Sequence, residues 1–466
     1  MAKGLFQGTP GKQAPGYVKH GKSLSGGPPS PGQPRVSRHL RPRPRQQLPG
    51  ASRQRQLWAH RAEFTPALQV SALQVAQRTT PSVSPRSPIQ GTCRAMNLPL
   101  ICDYGSGISK VGFAGTEAPL AVFPTILGKL RHDNLLVGME EEDWFIGNEV
   151  QTNREKLNLL YPISRASVTN WDHMEKIWHH SFYQVLHVAP EQHPLMVTEP
   201  PLNPLSNKEQ VSQILFETFC VPALFLANQG VLSLYASGQT SGMTIESGEG
   251  MTYFGPIIDG CPLHQSTFQV DIAGQDLTLY LLQLLSESGH PLVSTADRDR
   301  VRDLKEKYCY VALDFEKEKM EANSPSYAQK CQLPDGQEID LGRERFFCPE
   351  ALFRPNLIGR NRLGTHMTAF QCISSCSPAL WKVLFGHIFL SGGTGTCSGL
   401  RFRLQREISA LVSPKINVKV STCPYSIYGA WVGGSILCSL STFKDMWVTN
   451  AEYKDIGSSI VGRRSL

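Results

Sequence analysis

The sequence predicts an α/β fold of two similar halves facing each other across a cleft, preceded by a disordered basic extension. Three observations predict it. In Ile101-Cys102-Asp103-Tyr104-Gly105-Ser106-Gly107-Ile108-Ser109-Lys110, an apolar run meets an acid and then two glycines flanking a serine. This reads as a strand entering a tight turn whose backbone N–H groups can wrap a phosphate. Met243-Thr244-Ile245-Glu246-Ser247-Gly248-Glu249-Gly250 then repeats the pattern. Lastly, the composition changes abruptly near residue 96. Residues 1–95 carry 15 basic side chains and a single acid, Glu63, whereas the remainder carries 31 basic against 38 acidic.

One glycine turn of this kind is weak, because such a turn is often only a hairpin. Two of them suggest duplicated α/β units with a nucleotide phosphate tail pinched between them. Asp103 stands where its strand stops, a good place for a hydrated cation, and Lys110 can add a point charge to the anion. A third glycine turn, Phe389-Leu390-Ser391-Gly392-Gly393-Thr394-Gly395, and a fourth, Trp431-Val432-Gly433-Gly434-Ser435, each follow apolar residues.

These turns, with Phe113-Ala114-Gly115, Val168-Thr169-Asn170-Trp171-Asp172, Leu234-Tyr235-Ala236-Ser237-Gly238 and Glu306-Lys307-Tyr308-Cys309-Tyr310-Val311-Ala312-Leu313-Asp314, closely resemble actin. The resemblance runs almost without gaps from about Asn97 to Leu466. It implies the actin-like ATPase-domain fold in residues 96–466. The second lobe spans roughly 237–430, and the C-terminal segment returns to the first. The chain is most similar to divergent, actin-like members, several of which are confined to male germ cells.

The extension is rich in Gly, Pro, Gln, Ser and Arg, as in Pro28-Pro29-Ser30-Pro31-Gly32 and Arg41-Pro42-Arg43-Pro44-Arg45. Such a chain cannot offset its ordering entropy by burial. Arg35 to Arg45 offers weak nucleic-acid binding, while the simpler reading is a solvated tail. Met96 would start a chain consisting of the globular part alone; peptides from residues 36–94 in tissue would dismiss that alternative. The first twenty residues lack an apolar signal core, and no run of about 18 apolar residues predicts a membrane span. The twelve cysteines form no C-x-x-C pair, so they read as reduced thiols of a cytosolic or nuclear protein.

Residues 97–126 alternate apolar runs with glycine turns, which predicts an antiparallel meander. Residues 131–143 match the loop that actins insert into a neighbouring subunit, but read more simply as a mobile surface loop. Asp172 with Glu175 predicts a capping box for a helix to Leu186, and Ser206 with Glu209 another for a helix ending before Pro222. His179 and His180 are adjacent and point apart, which favours surface and packing over metal. Asp276 opens a helix carrying Leu277, Leu281, Leu284 and Leu285; Thr295 to Leu313 forms the next, with Val301, Leu304, Tyr308 and Val311 inward. Leu352 to Gly364 matches the family's hydrophobic plug, yet contains Arg354, Arg360 and Arg362. Ile436, Leu437, Leu440, Phe443, Met446 and Trp447 mark a closing helical region.

The resemblance implies ATP or ADP with magnesium in the cleft. By position, Asp103 and Glu246 lie beside the metal and act through water. Gly105, Ser106, Gly107 and Lys110 match the first phosphate clamp. Glu246, Ser247, Gly248, Glu249 and Gly250 match the second. Gln229 matches the glutamine that orients the attacking water. Lys305 and Glu306 line the base and ribose side, and Gly393 and Thr394 the loop under the base. The departures matter more. The family writes the second clamp as Asp-Ser-Gly-Asp-Gly, so Glu246 and Glu249 are each longer by one carbon–carbon bond, roughly 1.5 Å. Magnesium demands near-ideal octahedral geometry, and misplacement by about 1 Å costs on the order of 100-fold in rate. Tyr104 replaces an asparagine, Tyr253 the histidine that partners the glutamine, and Ile427 a lysine at the adenine edge. Thr396 and Cys397 replace the methionine and tyrosine that sandwich the base.

A second site is implied by the family's hydrophobic cleft, where actin-binding proteins lay an amphipathic helix. Tyr235, Gly238, Leu437, Leu440, Thr442 and Met446 match its lining, with Cys261 in place of a tyrosine. The pattern predicts a cytoplasmic, cytoskeleton-associated binding protein with weak nucleotide binding and slow or absent hydrolysis. The alternatives are a polymerising actin-type ATPase and a nuclear actin-related subunit of a chromatin complex.

Overall fold

The computed structural model describes residues 98–131, 144–290, 295–324, 327–332, 338–423 and 425–465. The basic extension and residues 132–143 of the insertion loop lie outside the described residues.

The fold is α/β and is built on two sheets of matching order. In the first, the run is Val448–Thr449, Ala223–Asn228, Leu195–Glu199, Leu100–Tyr104, Ile108–Phe113 and Ala121–Pro124. In the second, Cys261–Pro262, Thr252–Ile258, Gly242–Ser247, Ile388–Ser391 and Val420–Thr422 follow one another, with Phe268–Val270 also on Thr252–Ile258. Each sheet starts with an antiparallel hairpin around a glycine turn and then adds two parallel strands to its first strand. The parallel strands are almost wholly buried, as expected where helices cover both faces. Parallel strands order their carboxyl ends along one edge, where ligands bind in open α/β sheets. Asp103, Thr198 and Asn228 stand at or one residue before the ends of three neighbouring strands of the first sheet; Glu246 and Ser391 do so in the second.

The first sheet packs Trp178, Phe182 and Leu215 on one face and Trp431, Phe225 and Phe443 on the other. The second packs Leu281, Phe385 and Leu404 in a core of its own. Helices Gln229–Ala236 and Gly429–Ser439 lie against each other. Their backbones meet at Gly433, where a Cβ would fall 1.8 Å from the Leu232 carbonyl oxygen, so only glycine fits.

Three helix boundaries differ from the sequence expectation. Asn170, not Asp172, caps the helix Trp171–His179: its side chain accepts from the His173 N–H, leaving Asp172 in the first turn. Two Asx residues on either side of Trp171 offer the same chemistry, and only the chain's entry angle selects one. The helix Leu205–Gln213 begins after Pro204 without a side-chain cap, so Ser206 lies inside it. Proline fixes the φ that the first turn needs. The helix Thr295–Tyr308 stops five residues before Leu313, because Tyr310 pairs with Ser398 as a bridge. The plug arginines are not free. Arg354 pairs with Glu316 at 3.0 Å and Glu350 at 3.3 Å, and Arg360 and Arg362 with Asp271 at 3.3 and 3.7 Å.

A short hairpin, Ile163–Ser164 against Ser167–Val168, turns through Arg165 and Ala166, both left-handed at φ 49° and 58°. That turn normally calls for Asn-Gly. Ala166→Gly therefore raises stability by about 1 kcal/mol in urea unfolding, since glycine alone adopts this φ without steric cost.

Candidate functional site

The two glycine turns close on each other. A Cβ at Gly107 would lie 3.0 Å from the Glu249 Cβ, and one at Gly250 would lie 2.6 Å from the Ser106 Oγ. The turns thus share one surface, with little room for a side chain on either side. Gly250→Ala is expected to push them apart and cost about 2 kcal/mol, by the ordinary penalty of overpacking. Thermal unfolding of the variant checks this. The backbone N–H groups of Ser106, Gly107, Glu249 and Gly250 donate to no other protein atom among the described residues. Elsewhere the turns are tied down: Gly105 N–H donates to Ile108 O, and Gly274 and Gln275 N–H to Gly248 O and Glu249 O. Free, converging N–H groups are what an anion cradle requires.

Asp103 is buried under the first turn and accepts from three groups. Lys110 Nζ lies 2.6 Å away, Thr198 Oγ1 2.5 Å and Gln229 Nε2 3.0 Å. Burial alone would raise its pKa; the Lys110 charge and these bonds outweigh it and hold the carboxyl below its ordinary value. Gln229 is the first residue of its helix, presented by Asn228, whose side chain caps Gly230 and Val231. Its amide also donates to Thr198 Oγ1 at 3.2 Å.

Glu246 is the counterpart of Asp103 at the end of its strand, and its surroundings are opposite. Its Oε1 is buried without a hydrogen-bond partner. Burial, the largest cause, pushes the carboxyl up to about 7; the nearby Ser233 and Ser391 hydroxyls pull it down in part, and the Asp103 charge raises it further. Across the ladder its partner is Tyr253, which burial pushes up to about 12. That phenol stays neutral and offers no ring nitrogen. Tyr104 also buries a hydroxyl without a partner, edge-on to Trp178.

The other anticipated residues spread further. Lys305 Nζ donates to Gly274 O at 2.9 Å and Thr278 Oγ1 at 3.0 Å, which places it beside the second turn. Glu306 is exposed. Thr394 Oγ1 donates to Gly248 O at 2.7 Å, and Gly393 stands open. Ser247 shares a hydrogen bond with Thr252 and packs under Gly392, at φ 86°. Thr396 bonds back to Gly393 O within its own turn, Cys397 packs toward the second core, and Ile427 is exposed. These three give no flat aromatic wall. A cavity of about 190 Å³ opens beside the two glycine turns, lined by Ser106, Gly107, Glu249, Gln275, Thr278 and Arg302 among others. Of the residues matched to a partner cleft, Leu440 and Met446 are exposed, Leu437 and Tyr235 half-buried, and Gly238 open at φ 77°.

Sequence reasoning missed Thr198 and Arg165. Thr198 lies one residue before the end of a strand paired in parallel with the one bearing Asp103, a pairing that only the fold reveals. Arg165 had no signal: its partners Gly250, Asp271 and Asp276 lie 85, 106 and 111 residues away.

The glycine cradle fits a nucleotide phosphate tail, whereas Glu246, buried and pushed up to about 7, suits a divalent cation less well than Asp103 does. Asp103 and Glu246 would hold the cation through its waters, and the turn N–H groups with Lys110 the phosphates. The base wall and the water-orienting pair do not fit as well. Among the described residues, no helix is long and apolar enough to cross a membrane. Compared with models of known families, residues 95–466 match the family described as actin.

Proposed function

Because the chain belongs to the actin family, we propose that it is a divergent, cytoskeleton-associated member that works by binding partners. Its nucleotide pocket binds ATP or ADP weakly and turns it over slowly, if at all. The observation that carries this reading is Glu246, a carboxyl pushed up to about 7 with one oxygen unpartnered. A carboxyl protonated near neutrality is a poor ligand for hydrated magnesium. Opposite it, Tyr253 supplies neither the ring nitrogen nor the proton affinity of a histidine, and hydrolysis needs a well-oriented water. The Gln229 amide is held by Asp103 and Thr198.

Partners are expected at the groove around Leu440, Met446, Leu437, Tyr235 and Gly238. Amphipathic helices of actin-binding proteins or other cytoskeletal components suit its exposed leucine and methionine. Nucleic acid enters only through the basic extension and weakly. Family membership favours a cytoplasmic, cytoskeletal location, with the nucleus as the alternative.

The alternative, a polymerising ATPase, draws on the intact glycine cradle. Against it stand the plug arginines, each bound to acids of its own lobe. Sedimentation of the purified protein after addition of salt and magnesium ATP separates the two. The proposed reading expects the protein to remain in the supernatant; filaments with stoichiometric phosphate release would overturn it.

A further inference from the structure

We infer that Arg165 is a clasp that holds the cleft shut with the protein's own groups. The side chain leaves the hairpin of the first lobe and crosses to the second. Its guanidinium takes both oxygens of Asp276 at 2.7 Å, and also donates to Gly250 O at 3.0 Å and Asp271 O at 2.9 Å. The Gln275 side-chain oxygen accepts from the same guanidinium once its amide is turned to satisfy both ends. A planar fork against a carboxylate is the strongest ordinary ion-pair geometry, and lysine cannot reproduce it.

The next residue grips the other turn. Ala166 N–H donates to Ser106 Oγ at 3.0 Å. One hairpin therefore holds Ser106 of the first glycine turn and Gly250 of the second. Both tip residues have positive φ without being glycine, a conformation that persists only where its surroundings over-determine it. Asp276 is committed to this contact. It is buried, caps its own helix at Ala273 N–H, and has Arg360 as a second, more distant cation at 3.9 Å. Further along the same cavity, Arg154 pairs with Asp299 of the other lobe. Closure at the turns thus depends on Arg165, and opening of the cleft requires its contacts to break.

Amide hydrogen exchange on the full chain tests this. Arg165→Ala is expected to raise exchange about tenfold or more at the hydrogen-bonded amides of the two turns, Gly105 and Gly248, and at Gly274 and Gln275, which bond to the second turn, the signature of local opening, while strand Ala223–Asn228 stays protected. Asp276→Asn, which keeps the helix cap, should produce the same pattern, and the double variant no more than either alone. If Arg165→Ala does not fold, Arg165→Lys replaces it, with a smaller increase at the same amides. Unchanged exchange at both turns, or an increase spread evenly over both sheets, would overturn the inference.

Discussion

Glu246→Gln stabilises the protein by roughly 3 kcal/mol at pH 8 and by almost nothing at pH 4, since each unit of pKa shift is worth about 1.4 kcal/mol. The sign follows from the direction of the shift. The folded carboxyl is raised from 4.5 to about 7, so the folded state holds a proton that the unfolded chain releases. The native contribution of this group is complete below pH 4.5 and is lost as pH rises through about 7. Glutamine cannot ionise and removes that dependence. Urea unfolding of the two proteins across pH 4 to 8, without magnesium or nucleotide, reads the difference directly. Saturating magnesium nucleotide should shrink the advantage of the variant, because a cation that binds the native carboxylate stabilises the wild type alone. Equal stability at both pH values would mean that Glu246 reaches water or a partner.

Restoring the family's residues at two positions is the second large effect. Glu246→Asp shortens the acid, and Tyr253→His restores the histidine that the family pairs with the water-orienting glutamine. The pair together is expected to raise single-turnover ATP hydrolysis by about 100-fold, and each single change by less than about tenfold. Metal placement and water orientation serve one step and do not act independently. The two residues face each other across the ladder, close enough to couple. Two single variants whose effects multiply to the full gain would show that the pocket fails at two separate points.

Much of the fold could be read from glycine, because glycine marks backbone that nothing else can adopt or approach. Gly107 and Gly250 exist to let the turns touch, and Gly433 to let two helices touch. Asp103 and Glu246 were likewise legible as paired acids at strand ends. Their opposite electrostatics were not, because those depend on Lys110 and Thr198 on one side and on burial, only partly offset by the Ser233 and Ser391 hydroxyls, on the other. The helix beginning at Trp171 shows the limit at short range, where Asn170 and Asp172 were both plausible caps. Arg165 shows it at long range. A lone arginine in a Ser-Arg-Ala turn carries no local sign of a carboxylate 111 residues later.

We propose that this actin-family cleft has kept its phosphate cradle and lost its hydrolytic competence. Single-turnover phosphate release from ATP by the full chain in saturating magnesium tests it most directly. Release at the uncatalysed background is expected, together with weak ATP binding that stabilises the protein only at millimolar nucleotide. Tight ATP binding followed by rapid, stoichiometric phosphate release would contradict it.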